Sequence, residues 1–400
     1  MPVWLRILVG LLAGALAGPL LGEHAMLLEP VGDLFLTAIR MLVMPLIFVS
    51  LVGGIASVGS LSRMGRIGGK TFALYVLTTA MAIPVGIALG LLLEPGAGLQ
   101  LALPENVGIA PGGSQNWLAI LPDNPVRAFA DGNTLQVIVF SVLVGVAVIA
   151  AGEAAQPFRQ LVDSAAAVIF KLTELVIATA PIGVFALIAV VTARHGFGSL
   201  LPLGKLIVAL YLGCLLHGAV TLAALVRFGT GLSPLQFFRG IFEAQMVGFS
   251  TTSAAGTLPV TLSCARHNLG ISRDIAGFVL PVGATINMDG TAIYQALVAL
   301  FVAQVYGIDL AFADYLTLLL VTVMASIGTA SVPAAGLVAM SIVLSALGLP
   351  LEGIALVAGV DRILDMARTT LNITGDAAVA LVVASSESAL DREVFHRMPE

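Results

Sequence analysis

The sequence predicts an all-α integral membrane protein that crosses the bilayer many times and carries two re-entrant helical hairpins. Three observations carry that reading. Of the 400 residues, 58% are hydrophobic and 10% charged, against roughly 25% charged in soluble domains, and the mean hydropathy is +1.05. Apolar stretches near or above ~18 residues, long enough to cross a bilayer as a helix, recur along the chain. The short alternating segments of a membrane barrel are missing, which leaves helices as the structure that satisfies the backbone in lipid.

The apolar segments fall near 4–22, 33–58, 69–93, 134–151, 168–193, 201–226, 275–306 and 353–385. The first, "MPVWLRILVGLLAGALAG", has signal-peptide features in Arg6 and in "ALA" as a cleavage signal. Its apolar run continues through "PLLG", so it is read as a first transmembrane helix. Between the third and fourth lies "LPENVGIAPGGSQNWLAILPDNPVRAFADGN", a Pro/Gly/Asn-rich external loop leading into a broken helix. Segments 234–268 and 311–350 are hydrophobic but interrupted, by "FSTTSAAGTLPVT" and "ASIGTASVPAAGLV". Each has small hydroxyl residues, Gly-Thr and Pro between arms too short to cross a core of about 30 Å. A helix, a non-helical tip and a helix returning to the same side form a re-entrant hairpin, with the tip buried in protein or lining a cavity. Paired interruptions of this kind point to a transporter's binding site. The competing reading is two kinked helices with Ser/Gly packing faces.

Arg63, Arg66 and Lys70 after the second helix, and Arg159, Arg227, Arg266, Arg273, Arg392 and Arg397 at alternate ends thereafter, mark the cytoplasmic side. Both termini then lie in the cytoplasm, with Arg127, Arg194 and Lys205 as the outer minority. A net charge of −5 without a basic patch gives no nucleic-acid partner. Cys214 and Cys264 have neither disulfide-framework nor metal spacing. The five histidines, at 24, 195, 217, 267 and 396, are scattered and predict no ligand cluster.

Against this background "DRILDMARTTLNITGD", residues 361–376, is anomalous. Wound as a helix, Asp361, Asp365, Arg368, Asn372 and Asp376 share a stripe about 80° wide, with Thr369 and Arg362 at its edge. Each charge in mid-membrane costs about 3 kcal/mol even on a lenient scale. A salt-bridged seam between helices is one account of the stripe, but three acids against one or two bases leave it unbalanced, and surplus buried acid favours a cation. In "PVGATINMDGTAIYQ", residues 281–295, Asn287, Asp289 and Gly290 are poor helix formers and predict a local unwinding. Freed carbonyls, a carboxylate and amide oxygens suit a hard cation such as Na⁺. Tyr75, Thr78 and Thr79 place three hydroxyls on one helical face, a weak signal alone, because such threonines usually bond their own backbone.

Through "NMDGTA", "SIGTASVPAAG" and "DMARTTLNITGD" the sequence resembles the glutamate/aspartate transporter family, the dicarboxylate/amino acid:cation symporters, over nearly its whole length. The resemblance implies eight transmembrane helices, two re-entrant hairpins, inverted repeats, a homotrimer surrounded by lipid in the plasma (inner) membrane, and an elevator mechanism. It divides the chain into scaffold 1–65 and 96–195, transport domain 66–95 and 196–390, and a tail 391–400. It implies that Arg368 clamps the substrate's side-chain carboxylate with Thr291, and that Asp365 takes the α-ammonium. Asn372 and Thr369 would hold the α-carboxylate with backbone N–H groups around Ser253 and Ala254; carbonyls of Thr252 and Val332 and the backbone near Gly336 would complete the pocket. It also implies three Na⁺ sites. One uses Gly283, Asn287, Asn372 and Asp376. A second uses Thr285 with carbonyls of Ser326, Ile327 and Thr329. The third uses Tyr75, Thr78, Thr79, Asn287 and Asp289. Asp361 would stand behind Arg368.

Independently of the family, Asp289, Asp361, Asp365 and Asp376 against Arg368 give four negative charges to one positive, about −3. An anionic substrate then binds poorly until cations enter, and that shared penalty couples the ligands. Within the family, neutral-substrate members lack the arginine at 368 and dicarboxylate members lack the acid at 365, so the resemblance points to L-aspartate or L-glutamate. Where several relatives carry a further arginine this chain has Thr252 and Met366, with Arg362 as the extra base. Gln295 replaces a glutamate tied to proton movement in animal relatives, so coupling of that kind is not expected. Some bacterial relatives are proton-driven; the hydroxyls at 75, 78 and 79 favour sodium. Two other classes fit less well. An intramembrane aspartyl protease needs Tyr-Asp and Gly-x-Gly-Asp contexts, which "NMDG" and "NITGD" do not provide, and a passive channel lacks coupled flux. The protein is expected to be no enzyme.

Overall fold

The computed structural model describes residues 3–63, 65–99, 101, 121–196, 201–328 and 335–396. Among these there is no β-strand, only an isolated bridge between Ile271 and Leu390. Five helical stretches are long and apolar enough to cross a membrane. Helix α1 (Val3–Leu21) leads through a 3₁₀ turn to α2 (Glu29–Arg63), followed by α3 (Arg66–Leu93). The short α4 (Pro125–Ala130), capped by Asn124 accepting from the Arg127 N–H, precedes α5 (Thr134–Ala151). Helices α6 (Gln156–Ala178) and α7 (Ala180–His195) follow. The segment expected at 168–193 is therefore longer than its apolar part and interrupted at Thr179. Pro181, in the first turn of α7, cannot donate the backbone bond that would carry the helix through.

Helix α1 lies flat against α7. Gly10, Gly14 and Gly18 face the α7 backbone at Pro181, Phe185 and Ala189 with no room for a Cβ, the close approach that small residues four apart permit in membranes. On the outside, Leu12, Leu16, Leu20, Leu143 and Val146 are exposed, a surface that suits lipid better than water.

Helix α8 (Leu201–Leu216), a π-helical turn (His217–Leu222) and α9 (Ala223–Thr230) are continuous. Then come α10 (Pro234–Gly240), α11 (Phe242–Thr251) and α12 (Ala254–His267). Helices α11 and α12 pack on each other across Thr252 and Ser253. Thr252 has φ +53, in the left-handed region, and the Ser253 hydroxyl accepts from the Gly256 N–H, so one residue ends a helix and the next begins another.

Helices α13 (Arg273–Ile286) and α14 (Asp289–Val305) are separated by Asn287 and Met288. The apolar core of this pair is wholly buried, whereas only 28% of that of Val9–Phe35 is. The pair is therefore the most enclosed of the five candidate spans. Helices α15 (Phe312–Gly328) and α16 (Ala335–Ala346) pack together; the tip between them, with Thr329 and Val332, lies outside the described residues. The segment expected at 353–385 is two helices, α17 (Glu352–Ala358) and α18 (Asp361–Ser386). The break falls at Gly359, where the Leu11 side chain leaves no space for a Cβ. A short α19 (Arg392–His396) ends the described chain.

Candidate functional site

Helix α18 supplies the polar stripe, and what faces it divides the stripe in two. At its N-terminal end the Arg368 side chain is 2% exposed. Its Nη2 lies 3.2 Å from Asp361 Oδ1 and 3.1 Å from Asp365 Oδ1. The guanidinium sits over the Tyr294 ring, 4.1 Å from the centroid, where the ring's negative face attracts it. Thr369 donates to the same Asp365 oxygen, at 3.1 Å. Gly336, in the first turn of α16, presses so closely on the guanidinium that a Cβ has no place. Among the described residues the Arg368 Nε and Nη1 donors have no hydrogen-bond partner. A buried guanidinium with donors to spare is suited to a carboxylate, which it grips with parallel N–H···O bonds.

Lower on the stripe the partners come from the break between α13 and α14. Asn372 Oδ1 accepts from the Gly290 N–H at 2.8 Å, and its Nδ2 approaches Thr291 Oγ1 (3.5 Å) and Met288 Sδ (3.4 Å). Asn287 Nδ2 donates to Asp376 Oδ1 at 3.0 Å and lies 3.4 Å from Asn372 O. On its other side Asn287 Oδ1 receives Thr78 Oγ1 at 3.3 Å. Thr79 donates to Asp289 Oδ1 at 2.9 Å. Tyr75 donates to Val279 O at 2.9 Å; its hydroxyl and the Asp376 carboxylate converge on Gly283, which has no space for a side chain. Asn287 and Asp289 are fully buried and Asp376 nearly so. Gly375 explains how α18 comes this close: a Cβ there falls 2.6 Å from Asn287 Nδ2 and 2.8 Å from Asp289 Oδ2, so only glycine lets the helix meet the break.

The donors to these two carboxylates are neutral, an amide and a hydroxyl, and the cost of burying unpaired carboxylates is several kcal/mol each. Hydroxyl, carbonyl and carboxylate oxygens without thiolate form a set for a hard cation. The chemistry of the residues therefore fits a small inorganic cation as cargo.

The remaining expected site residues are less gathered. Thr285 is exposed and donates to Val282 O at 2.8 Å. Ser326 is buried and donates to Val323 O at 2.8 Å, while α13 and α15 touch. Ile327 lies in the last turn of α15, with its side chain undescribed. At the first tip Thr252, Ser253 and Ala254 are half-buried. Arg362 donates to Ser250 O (2.8 Å), to Thr251 O (3.2 Å) and to the Thr252 hydroxyl, tying the C-terminus of α11 to α18 where a cation is favoured.

One residue escaped the sequence reading. His217, in the π-helical turn, is fully buried with Nε2 3.4 Å from Asp289 Oδ2. The available signal was a histidine inside an otherwise apolar span, since intramembrane ionisable residues are functional candidates by default; its partner, 72 positions away by number (289 − 217), was not visible.

Comparison with known proteins gives the family. Residues 3–386 match the model of the sodium:dicarboxylate symporter family. The "Proton/sodium-glutamate symport protein" of Geobacillus stearothermophilus is 34% identical, covering 97% of this chain and 95% of its own. The "Proton/glutamate-aspartate symporter" of Escherichia coli (strain K12) is 37% identical, covering 97% and 93%. The "C4-dicarboxylate transport protein" of Rhizobium johnstonii is 33% identical, covering 97% and 90%. The chain is a transporter rather than an enzyme, and it belongs to the sodium:dicarboxylate symporter family.

Proposed function

We propose that this protein imports an acidic amino acid, L-aspartate or L-glutamate, together with Na⁺. The observation that carries the proposal is the juxtaposition on α18 of a buried Arg368 paired to Asp361 and Asp365 with a second, purely anionic and neutral cluster at Asp289 and Asp376. Arg368 and Thr291 take the side-chain carboxylate, Asp365 the α-ammonium, and Asn372 and Thr369 the α-carboxylate with the tip at Thr252, Ser253 and Ala254. Val332 and the Gly336 backbone close the pocket. An entering carboxylate exchanges for Asp365 on the guanidinium and leaves Asp365 to the ammonium, so one internal ion pair becomes two external ones.

Na⁺ occupies three sites in this reading: Gly283, Asn287, Asn372 and Asp376; Thr285 with Ser326, Ile327 and Thr329; and Tyr75, Thr78, Thr79, Asn287 and Asp289. Each cation offsets carboxylate charge that otherwise repels the anionic substrate, and binding free energies so linked are reciprocal. The architecture proposed for this cycle is a homotrimer in the plasma (inner) membrane with cytoplasmic termini. It has eight spans, two re-entrant hairpins (α10–α12 and α15–α16) and inverted repeats. The transport domain, 66–95 and 196–390, slides past the scaffold, 1–65 and 96–195, as an elevator, with 391–400 as a tail.

Uptake of labelled L-aspartate into proteoliposomes tests the reading. A Na⁺ gradient at equal pH should drive accumulation, and uptake indifferent to sodium refutes the coupling. The second reading is proton-coupled transport of the same substrates, or of a C4-dicarboxylate, as the relatives' names describe. It predicts accumulation driven by a pH gradient in sodium-free medium, or competition by succinate stronger than by L-glutamate.

A further inference from the structure

Resting on the Na⁺ reading above, we propose that His217 is a positioning residue of the cation site at Asp289: its ring donates Nε2–H to Asp289 Oδ2 and so holds the other carboxylate oxygen toward the cation. Four observations support this. The ring is fully buried, and Nε2 lies 3.4 Å from Oδ2. Neither ring nitrogen, nor Asp289 Oδ2, has any hydrogen-bond partner among the described residues; Nε2 and Oδ2 face each other at 3.4 Å without yet meeting as an aligned hydrogen bond. A donor and an acceptor buried face to face, each otherwise unsatisfied, lose free energy unless they bond one another.

The third observation is the division of labour on the carboxylate. Thr79 occupies Oδ1 from α3, and His217 faces Oδ2 from the π turn. A bond from each would fix the carboxylate plane, which is the work of outer partners around a ligating carboxylate. The fourth is where the ring comes from. The helix Leu201–Thr230 is regular except at His217–Leu222, where it widens into a π turn, a device concentrated at functional sites. That turn packs against both α3 and α18, the two elements that, with the α13–α14 break, enclose the site. The local irregularity and the buried ring thus occur at the same residue.

The test is equilibrium binding of labelled L-aspartate to the purified full-length protein at fixed pH, with Na⁺ replaced stepwise by choline. In His217→Ala the Na⁺ concentration for half-maximal binding should rise on the order of 10- to 100-fold, the usual effect of losing an outer partner. The aspartate affinity at saturating Na⁺ should stay within about twofold of wild type. His217→Gln, whose amide N–H reaches the place of Nε2, should restore most of the Na⁺ response, whereas the shorter His217→Asn should not. In an Asp289→Asn background, His217→Ala should add nothing. If His217→Ala elutes as aggregate, the Gln and Asn variants decide. Coincident Na⁺ curves for Gln and Asn, a wild-type curve for Ala, or an equal loss of aspartate affinity at saturating Na⁺ would each overturn the assignment. Wild-type binding that ignores Na⁺ instead overturns the sodium reading itself, before any variant is compared.

Discussion

The two polar clusters on α18 differ in how their charge is answered. Around Arg368 the protein balances itself: the guanidinium has two carboxylates and an aromatic face within about 4 Å. Around Asp289 and Asp376, less than three turns further along, the partners are Thr79, Asn287 and a histidine. The first cluster can exchange an internal anion for an external one at little electrostatic cost. The second has no lysine or arginine among its described partners, and in the proposed cycle it takes a cation from outside. In the proposed cycle a single helix thus carries a pocket for an anion and a pocket for a cation, with Asn372 between them holding the α14 terminus.

Variants that break one cluster should therefore leave the signature of the other. The largest effect is expected from Arg368→Cys, which should abolish aspartate uptake, a loss of at least about a hundredfold, because a buried bidentate partner is removed. The same variant should still bind Na⁺ by calorimetry; loss of both would merge the clusters into one. Asp376→Asn comes next. It keeps the shape but removes charge, and should raise the Na⁺ requirement of aspartate binding on the order of 10- to 100-fold, read from the Na⁺ dependence at fixed aspartate. Gly375→Ala is smaller and structural. Forcing a methyl between Asn287 and Asp289 should destabilise by about 1–3 kcal/mol, seen as a lower Tm with cation affinity falling in parallel.

The smallest effect lies at the surface, where Lys70 and Arg66 bind Glu387 and hold its carboxyl below the usual glutamate range. Because the folded pKa is depressed, the contribution is present above the unfolded value and is lost as pH falls through the lowered one. Glu387→Gln should lower Tm slightly at neutral pH and converge with wild type in acid, flattening the fall over that window, and leave transport at neutral pH nearly unchanged.

Much of this was legible in order along the chain because lipid makes charge conspicuous. Residues 361–376 stand out against apolar flanks, the Asn287–Gly290 stretch breaks a helix by composition alone, and α5 begins and ends where the fourth apolar segment does, at Thr134 and Ala151. The illegible parts are pairings and packing. His217 looked isolated because its partner is on another helix. The break before Asp361 follows from contact with Leu11, which nothing near residue 359 announces. The amphipathic start of α6 at Gln156 hid because a hydropathy reading sees only the part that is uniformly apolar. Nothing in the sequence around Gly375 announces the Asn287 and Asp289 side chains packed against it.

The enclosure of Arg273–Val305 has a consequence for biogenesis. Of the five candidate spans it has the lowest hydropathy, 1.3 against 2.4 for Gln136–Ile169, and its interior carries Asn287 and Asp289. Such a stretch has little to gain from acyl chains when it leaves the ribosome and much to gain from earlier helices already in place. Its partitioning is then an act of assembly, and a substitution that loosens α3 or α8 will first be felt as failed integration of this helix, before any transport cycle begins.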